Sequence, residues 1–511
     1  MTQENFTYFL DKFGEIGYVS QVSSSIVIVE GLPGVHANEV VIFETGERGQ
    51  VFSLFRSGIS VLLFSKQIPS PGTRVARTGE SLKVPVGEYL IGNIISPFGE
   101  ILANDKNKKI QPAAEYRTID ETPLNISSRK EISKPFDTGV SIVDMLIPLG
   151  KGQRELIIGD RKTGKSTFLL QAMYNQVLQG TLCIYAAIGK QHSDIQTIEN
   201  FCRQKKILDN IILLLSFRHD PEGSIYVAPF AAMTIAEYFR DRGKHVLLIL
   251  DDLTTHAKSY RTISLTAKRY PGRNSYPPNI FHTHAKLLER AGNFILNDKE
   301  VSITCLPVAE TTRGDLSGYI QTNLMSMTDG HIFFDVNIFE SGRRPAINST
   351  LSVSRVGRQT QSRLRGSIAR ETTSFISLMD QVEKYSHFGQ EASTTVRQTL
   401  ATGKQLMVLL EQQTEQVISL QLQLFLFALL WMGKWDKITV DQQRIRINLI
   451  IQTYANNPNL RYLISGLVEN SGDLNTFLEV IRQHEAEIDT FLSQVENKTD
   501  IEQKNKNYVV Q

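Results

Sequence analysis

One octapeptide constrains this chain more than any other feature. Gly159-Asp160-Arg161-Lys162-Thr163-Gly164-Lys165-Ser166 has the spacing G-x-x-x-x-G-K-[ST]. An apolar run, Glu155-Leu156-Ile157-Ile158, leads into it, and a helix-forming run, Thr167-Phe168-Leu169-Leu170-Gln171-Ala172, leads out. A strand that turns through glycines into a helix aims backbone N–H groups, and the positive end of the helix dipole, at one spot. That spot suits phosphate oxygens. In this reading Lys165 contacts the outer phosphates and the Ser166 hydroxyl ligates Mg²⁺. The loop's usual companion is an acid at the end of another buried strand. His245-Val246-Leu247-Leu248-Ile249-Leu250-Asp251-Asp252 supplies it, with Asp251 placed for the magnesium shell and Asp252 better suited to capping the strand end. Together the two motifs predict a chain that binds a nucleoside triphosphate with magnesium.

Around these motifs the texture of the chain changes twice. Residues 1–76 offer short β-rich runs (Tyr18–Val22, Ser25–Val29, Val40–Phe43, Gln50–Phe55, Ile59–Phe64) separated by glycine turns. Strands at that spacing predict a small closed or nearly closed β-barrel. Sparse aromatics and mixed charges favour subunit assembly over oligonucleotide binding as its role. Residues 77–361 alternate helical stretches with continuous apolar runs: Glu155–Gly159, Leu182–Ile188, Ile211–Ser216, His245–Asp251 and Val301–Val308. Such runs predict parallel strands buried on both faces, an α/β nucleotide-binding core. From residue 362 to 511 the strand signal stops. Thr395–Gln413, Ile418–Trp431, Arg444–Tyr454 and Leu474–Val495 read as helices, Asn456-Asn457-Pro458-Asn459 as a breaker, and Asn497–Asn507 as a loose polar tail. The expected architecture is therefore multidomain: an N-terminal β-barrel, a central α/β P-loop core and a C-terminal α-helical domain.

Composition excludes several function classes. Lys and Arg number 55 against 53 Asp and Glu, a net charge of +2, so nothing in the bulk charge calls for nucleic acid. Three cysteines without metal-ligand spacing fit a reducing compartment rather than a disulfide framework. The longest apolar run, Leu424 to Gly433, is about half the ~20 residues a spanning helix needs and reads as a core helix. The N-terminus has no basic region followed by an apolar stretch, so no secretory signal is expected. Membrane attachment, if any, is expected only through partners.

Hydrolysis needs a group that orients or deprotonates water, normally a carboxylate near the γ-phosphate. In ring-forming ATPases of the RecA-like type it follows the strand after the phosphate-loop helix. Here that strand, Leu182–Ile188, is followed by Gly189-Lys190-Gln191-His192, and a lysine stands where the acid belongs. A lysine pairs with phosphate but is no base while charged. Glu310 is the other acid to weigh, as a base or as a structural carboxylate at a strand end. The site reads as tight-binding and poorly catalytic. Arg355, within Ser352-Val353-Ser354-Arg355-Val356-Gly357, fits either an arginine finger serving a neighbouring subunit or an ordinary ion pair, and spacing alone favours neither.

At these residues the chain resembles the alpha subunit of F-type ATP synthases, the non-catalytic nucleotide-binding subunit. The likeness runs through Pro148–Arg161 into the phosphate loop. It returns in Leu250–Leu253, Tyr270–Arg273, Leu287–Ala291, Thr328–Gly330, Arg344–Asn348 and Ser352–Gly357, covering roughly residues 15 to 435. The resemblance implies a barrel crown, a RecA-like core and a helical C-terminal domain. It also implies an alternating hexameric ring with catalytic beta-type subunits around a gamma-type shaft, with a peripheral stalk as a further candidate partner. Location is implied at the cytoplasmic face of the cell membrane, or the equivalent inner face of an organelle membrane, as a peripheral protein. By matching position, ATP or ADP with Mg²⁺ is held by Gly159, Asp160, Arg161, Lys162, Thr163, Gly164, Lys165, Ser166 and Thr167, with Ser166 and Asp251 at the metal. Arg344, Pro345 and Gln412 correspond to the adenine side, Arg355 to the finger that reaches the beta site, and Ser352 to the activity-sensitive serine beside it.

The departures are specific. The family carries glutamine where this chain has Lys162 and Lys190. The segment Glu411-Gln412-Gln413-Thr414-Glu415 lacks the family's Gly and Tyr-Ser-Pro pattern, and the barrel begins almost at the N-terminus. Two other readings share parts of the plan. One is a homohexameric RNA translocase of the termination-factor type, or a protein-export ATPase, which needs its own catalytic glutamate. The other is an F-type-like ring driving machinery other than an ion rotor.

Overall fold

Strands with apolar residues on alternate positions bury that face only against a second layer or by closing on themselves. The N-terminal segment closes. In the computed structural model, which describes residues 5–103, 115–386, 394–436 and 438–493, Gly17–Ser23, Ile26–Glu30, Glu39–Phe43, Arg48–Phe55, Gly58–Leu63 and Arg74–Ser81 form a closed barrel. Val27, Val29, Val41, Phe43, Val51, Val61 and Val75 fill it. The closing strand, Arg74–Ser81, was not legible as one because its sequence, RVARTGES, is mostly polar. Its polar groups find partners instead of water: Thr78 donates to the Val40 carbonyl at 2.7 Å and Arg77 donates to Glu39 at 3.1 Å. A short helix, Phe6–Phe13, precedes the barrel, with Asn5 accepting from Tyr8 N at its start and Gly14 (φ 66°) at its end. Its Phe6 and Phe9 pack on Ile42 and Ala76.

Contacts divide the chain into two compact units. The first holds the barrel and most of a parallel sheet: Met1–Ile132, Lys151–Lys162 and Gln176–His331. Within it the strands lie side by side in the order Glu155–Gly159, Lys299–Glu310, Val246–Asp251, Leu182–Lys190, Ile211–Phe217, Ile94–Ile95 and Ile101–Ala103. All but the last run parallel, and Gly292–Leu296 adds antiparallel to Lys299–Glu310. Parallel strands bring their carboxyl ends to one edge, where open α/β sheets bind ligands. Gly159 stands opposite Glu310 there, and Ala187 opposite Asp251. The continuous apolar runs are buried on both faces, as the absence of polar alternation requires.

Two buried polar clusters hold the helices of this unit. Arg290 is 1% exposed and donates to both oxygens of Glu237, to the Ile119 carbonyl at 2.9 Å and to Thr234 Oγ1 at 2.8 Å. His256, on Leu253–Thr266, lies with Nε2 3.1 Å from the Tyr226 carbonyl and Nδ1 3.0 Å from His284 Nε2. A carbonyl takes only a donor, so Nε2 of neutral His256 carries the proton and Nδ1 accepts from His284. Burial pushes His256 down to about 4 and His284 well below its ordinary value.

The second unit comprises Ser133–Gly150, Thr163–Asn175 and Ile332–Gln511. Its helices include Arg363–Ser386, Thr394–Leu410, Leu420–Trp431, Val440–Asn456, Pro458–Glu469 and Leu474–Gln483. Leu420–Trp431 is the long apolar run, and it is buried all round, as a core helix must be. Its buried amide, Gln423, donates to Asp144 Oδ2 at 3.0 Å and to the Ile418 carbonyl at 2.9 Å. The breaker acts as a relay: Asn457 caps the next helix by accepting from Asn459 N and Leu460 N, with Pro458 in its first turn. The Asn497–Asn507 tail lies outside the described residues. No helix among the described residues is long and apolar enough to cross a membrane.

Two outcomes follow from the buried clusters. Arg290→Met leaves Glu237 buried beside only Arg240, whose Nη1 is 3.5 Å away. The variant should lose about 3 kcal/mol, read from chemical denaturation, and Arg290→Met/Glu237→Leu should recover part of it. The histidine pair binds protons in the unfolded chain before it does in the folded one. Its contribution to stability is therefore full above about pH 6.5 and lost as pH falls from there through about 4. Denaturation midpoints should drop more steeply with acidification in the wild type than in His256→Asn.

Candidate functional site

The phosphate loop takes the predicted form. A fully buried strand, Glu155–Gly159, enters it and a helix, Lys165–Leu178, leaves it. Lys162 (φ 62°) and Gly164 (φ 100°) both adopt left-handed backbone, and Gly164 is the residue type that does so without strain. The helix opens with Phe168 N donating to the Gly164 carbonyl at 3.1 Å. Thr163 and Lys165 are buried, whereas Lys162 and Ser166 are exposed and Thr167 is half-buried. Asp160 and Arg161 are used within the first unit to fasten the loop. The Asp160 carboxylate accepts from Gly314 N at 2.9 Å and from the Thr311 hydroxyl, and Thr311 N donates to the Gly159 carbonyl at 3.0 Å. Arg161 Nε donates to Glu310 Oε2 at 2.9 Å. Glu310 therefore behaves as a strand-end structural carboxylate, the second of the two roles weighed for it.

At the neighbouring strand ends lies a charge cluster. Lys190 Nζ is 2.7 Å from Asp251 Oδ1 and 3.6 Å from Asp252 Oδ2. Tyr185, five residues earlier on the same strand, donates its phenol to Asp251 Oδ2 at 2.6 Å. Asp252 caps Leu253–Thr266, accepting from Thr255 N at 2.6 Å and from the Thr255 hydroxyl at 3.1 Å. All four side chains belong to the first unit. Burial pulls the Lys190 ammonium down, but Asp251 and Asp252 outweigh it and hold the group charged, above the ordinary lysine range. Burial also pushes Asp252 up, and burial with Asp251 beside it pushes the Tyr185 phenol far up. The lysine read as a partner for phosphate thus has carboxylates as its partners. With one oxygen of Asp251 on an ammonium and the other on a phenol, its donor set does not fit a magnesium ligand. Tyr185 went unnoticed in sequence because a tyrosine in an apolar strand reads as core.

The second unit gathers the other candidates in two places. Gln412 N donates to the Arg344 carbonyl at 2.8 Å, so Arg344, Pro345 and Gln412 lie together. The Gln412 side chain is spent locally: Oε1 accepts from Ser141 N at 3.1 Å and Nε2 donates to the carbonyls of Gly139 (2.8 Å) and Gln416. The Arg344 guanidinium stacks 3.4 Å from the centre of the Phe339 ring and donates to the Phe339 carbonyl at 2.6 Å. Ser352 and Arg355 share one loop with opposite fates. Buried Ser352 Oγ donates to the Asn348 carbonyl at 2.6 Å and accepts from Phe333 N at 2.9 Å, which ties the loop down. Ser354 Oγ donates to the Pro148 carbonyl at 2.6 Å and does the same two residues on. Arg355, the residue directly after the second anchor, is exposed and has no hydrogen bond or ion pair with any described residue.

Residues 139–354 match the profile of the ATP synthase alpha/beta family, nucleotide-binding domain. The chain is 37% identical over 429 residues to the ATP synthase subunit alpha of Staphylococcus aureus strain JH9, spanning 83% of this chain and 84% of that one. The ATP synthase subunit alpha of strain JH1 matches to the same extent.

The local bonds of Gln412 make a prediction. Gln412→Ala strands the buried Ser141 N–H and should cost about 1–3 kcal/mol, measured as a lowered thermal or chemical midpoint. Gln412→Glu, which keeps the acceptor for Ser141 N but not the donor for Gly139, should lose stability as well.

Proposed function

This chain belongs to the alpha-subunit family of F-type ATP synthases, and from that premise we propose that it is the non-catalytic, nucleotide-holding member of the enzyme's ring. In this reading it alternates with catalytic beta-type subunits in a hexamer around a gamma-type shaft, and a peripheral stalk holds the ring. Attachment to the membrane is peripheral, through those partners. ATP or ADP lies at Gly159–Thr167, its phosphates on the loop's N–H groups and Lys165, with Arg344 and Pro345 toward the adenine. Ser352 acts by holding its loop, not by touching substrate.

The observation that carries the reading is Arg355: an exposed guanidinium directly after two anchored serines, with no partner among the described residues. An arginine held in place but left unpaired suits a planar cation delivered to another subunit's γ-phosphate, where charge develops during hydrolysis or synthesis. The engagement of the strand-end acids among the described residues supports the same division. Lys190 stands on Asp251, and Glu310 is held by Arg161.

Arg355→Ala should therefore lower turnover of the ring assembled with its beta-type partner by about 10³-fold or more. Nucleotide affinity of the isolated chain, measured by calorimetry, should stay the same. The isolated wild-type chain should hydrolyse ATP hardly at all, and brisk turnover by it alone would overturn the assignment.

A further inference from the structure

The charge cluster at Asp251 has a consequence for the metal. A carboxylate holds a divalent cation through its negative charge and its open lone pairs. Asp251 offers little of either. Lys190 Nζ at 2.7 Å neutralises the charge and takes Oδ1, and the Tyr185 phenol at 2.6 Å takes Oδ2. The second acid, Asp252, is committed to the N-terminus of Leu253–Thr266 and stands 3.6 Å from the same lysine. A divalent cation arriving here would meet a fixed positive charge.

Nor is Lys190 a loose surface lysine. It ends the Leu182–Lys190 strand, pairs in register with Phe217, and its carbonyl accepts from Arg218 N at 2.9 Å. Its side chain is 16% exposed, and those of Asp251 and Asp252 are 3% and 2% exposed. Swinging the lysine away would leave two buried carboxylates without a cation, which is strongly unfavourable.

We propose that Lys190 takes the place of the divalent cation at Asp251, so that this chain holds its nucleotide with little dependence on magnesium. The proposal rests on the nucleotide-binding reading above and adds its metal requirement. Lys190 then acts as a positioning residue. Its ammonium satisfies the strand-end acids, and the phosphates are held by the loop's N–H groups and Lys165 alone.

The test uses the full-length chain stripped of nucleotide. ATP binding is measured by calorimetry in excess Mg²⁺ and in excess EDTA, for the wild type, Lys190→Gln and Lys190→Arg. The wild type and Lys190→Arg should bind ATP with dissociation constants that differ less than ~3-fold between the two conditions. Lys190→Gln, which frees the Asp251 charge, should bind at least ~10-fold more tightly with Mg²⁺ than with EDTA. Mn²⁺ as a spectroscopic probe gives a readout that needs no variant: the wild-type ATP complex should hold Mn²⁺ no more tightly than free ATP does. A wild type that loses ~10-fold or more in EDTA, or holds Mn²⁺ tightly, overturns the role given to Lys190 while leaving nucleotide binding standing. Failure to bind ATP under either condition overturns the nucleotide-binding reading itself, and this inference with it.

Discussion

A buried carboxylate must be paired, and what pairs it decides what the surrounding site can do. At the carboxyl edge of this sheet the pairing group is a lysine, with Nζ 2.7 Å from Asp251. The parallel sheet makes such a choice unavoidable. Strands that run one way deliver every strand-end side chain to one edge, so Asp251, Asp252, Lys190 and Glu310 gather whether or not they are wanted together. Charges gathered in a poorly solvated edge either neutralise each other or attract something that does. Here they neutralise each other. Lys190 takes the two aspartates, Arg161 takes Glu310, and the Asp160 carboxylate takes a backbone N–H and a hydroxyl. An edge whose acids are all engaged is well built for holding a loop still. It leaves none of them placed to act as a base.

The second unit follows the opposite course at one residue. Ser352, Ser354, Gln412 and Arg344 all spend their polar atoms on nearby backbone. Such side-chain-to-backbone bonds fix loops that no regular ladder supports. Arg355 is left out of this pattern, although the loop before it is tied down through Ser352 and Ser354 and Gly357 N beyond it donates to Ser354 Oγ at 3.3 Å. A long cation on a fixed base loses little further entropy when it meets a partner, which is what makes preorganised arginines effective across interfaces.

How much of this was legible in the sequence depended on whether the signal was local. The phosphate loop is a local pattern, and its strand, turn and helix fell where the spacing put them. The parallel strands were legible because burial on both faces demands unbroken apolar runs such as Leu247–Leu250. The barrel's closing strand was not, since Arg74–Ser81 satisfies its polar residues through Glu39 and the Val40 carbonyl, and those partners lie far away in sequence. The helix Arg363–Ser386 escaped for a related reason: its sequence opens with closely spaced arginines, of which Arg365 is buried and paired with Asp137 at 3.1 Å. For the site, sequence revealed that Lys190 replaces an acid. It did not reveal the lysine's partner, because the register that brings Ala187 level with Asp251 is set by sheet pairing and leaves no trace in either segment alone.

That register also explains why the lysine cannot be viewed as a catalytic acid merely lost. Suppose position 190 carried a glutamate while everything else stayed. Three carboxylates would then crowd one poorly solvated edge, with the Tyr185 phenol and Thr255 as neutral donors beside them. Like charges that close cannot all ionise, so a proton or a divalent cation would have to enter. A catalytic site of this type has such a cation, and its acid and its metal support each other. Lysine at the same place removes the need for both at once. The base and the metal at Asp251 are therefore coupled through one electrostatic balance, and a chain that gives up the first is relieved of the second. A subunit that only holds nucleotide and lends an arginine to a neighbour can accept that exchange, whereas one that activates water cannot.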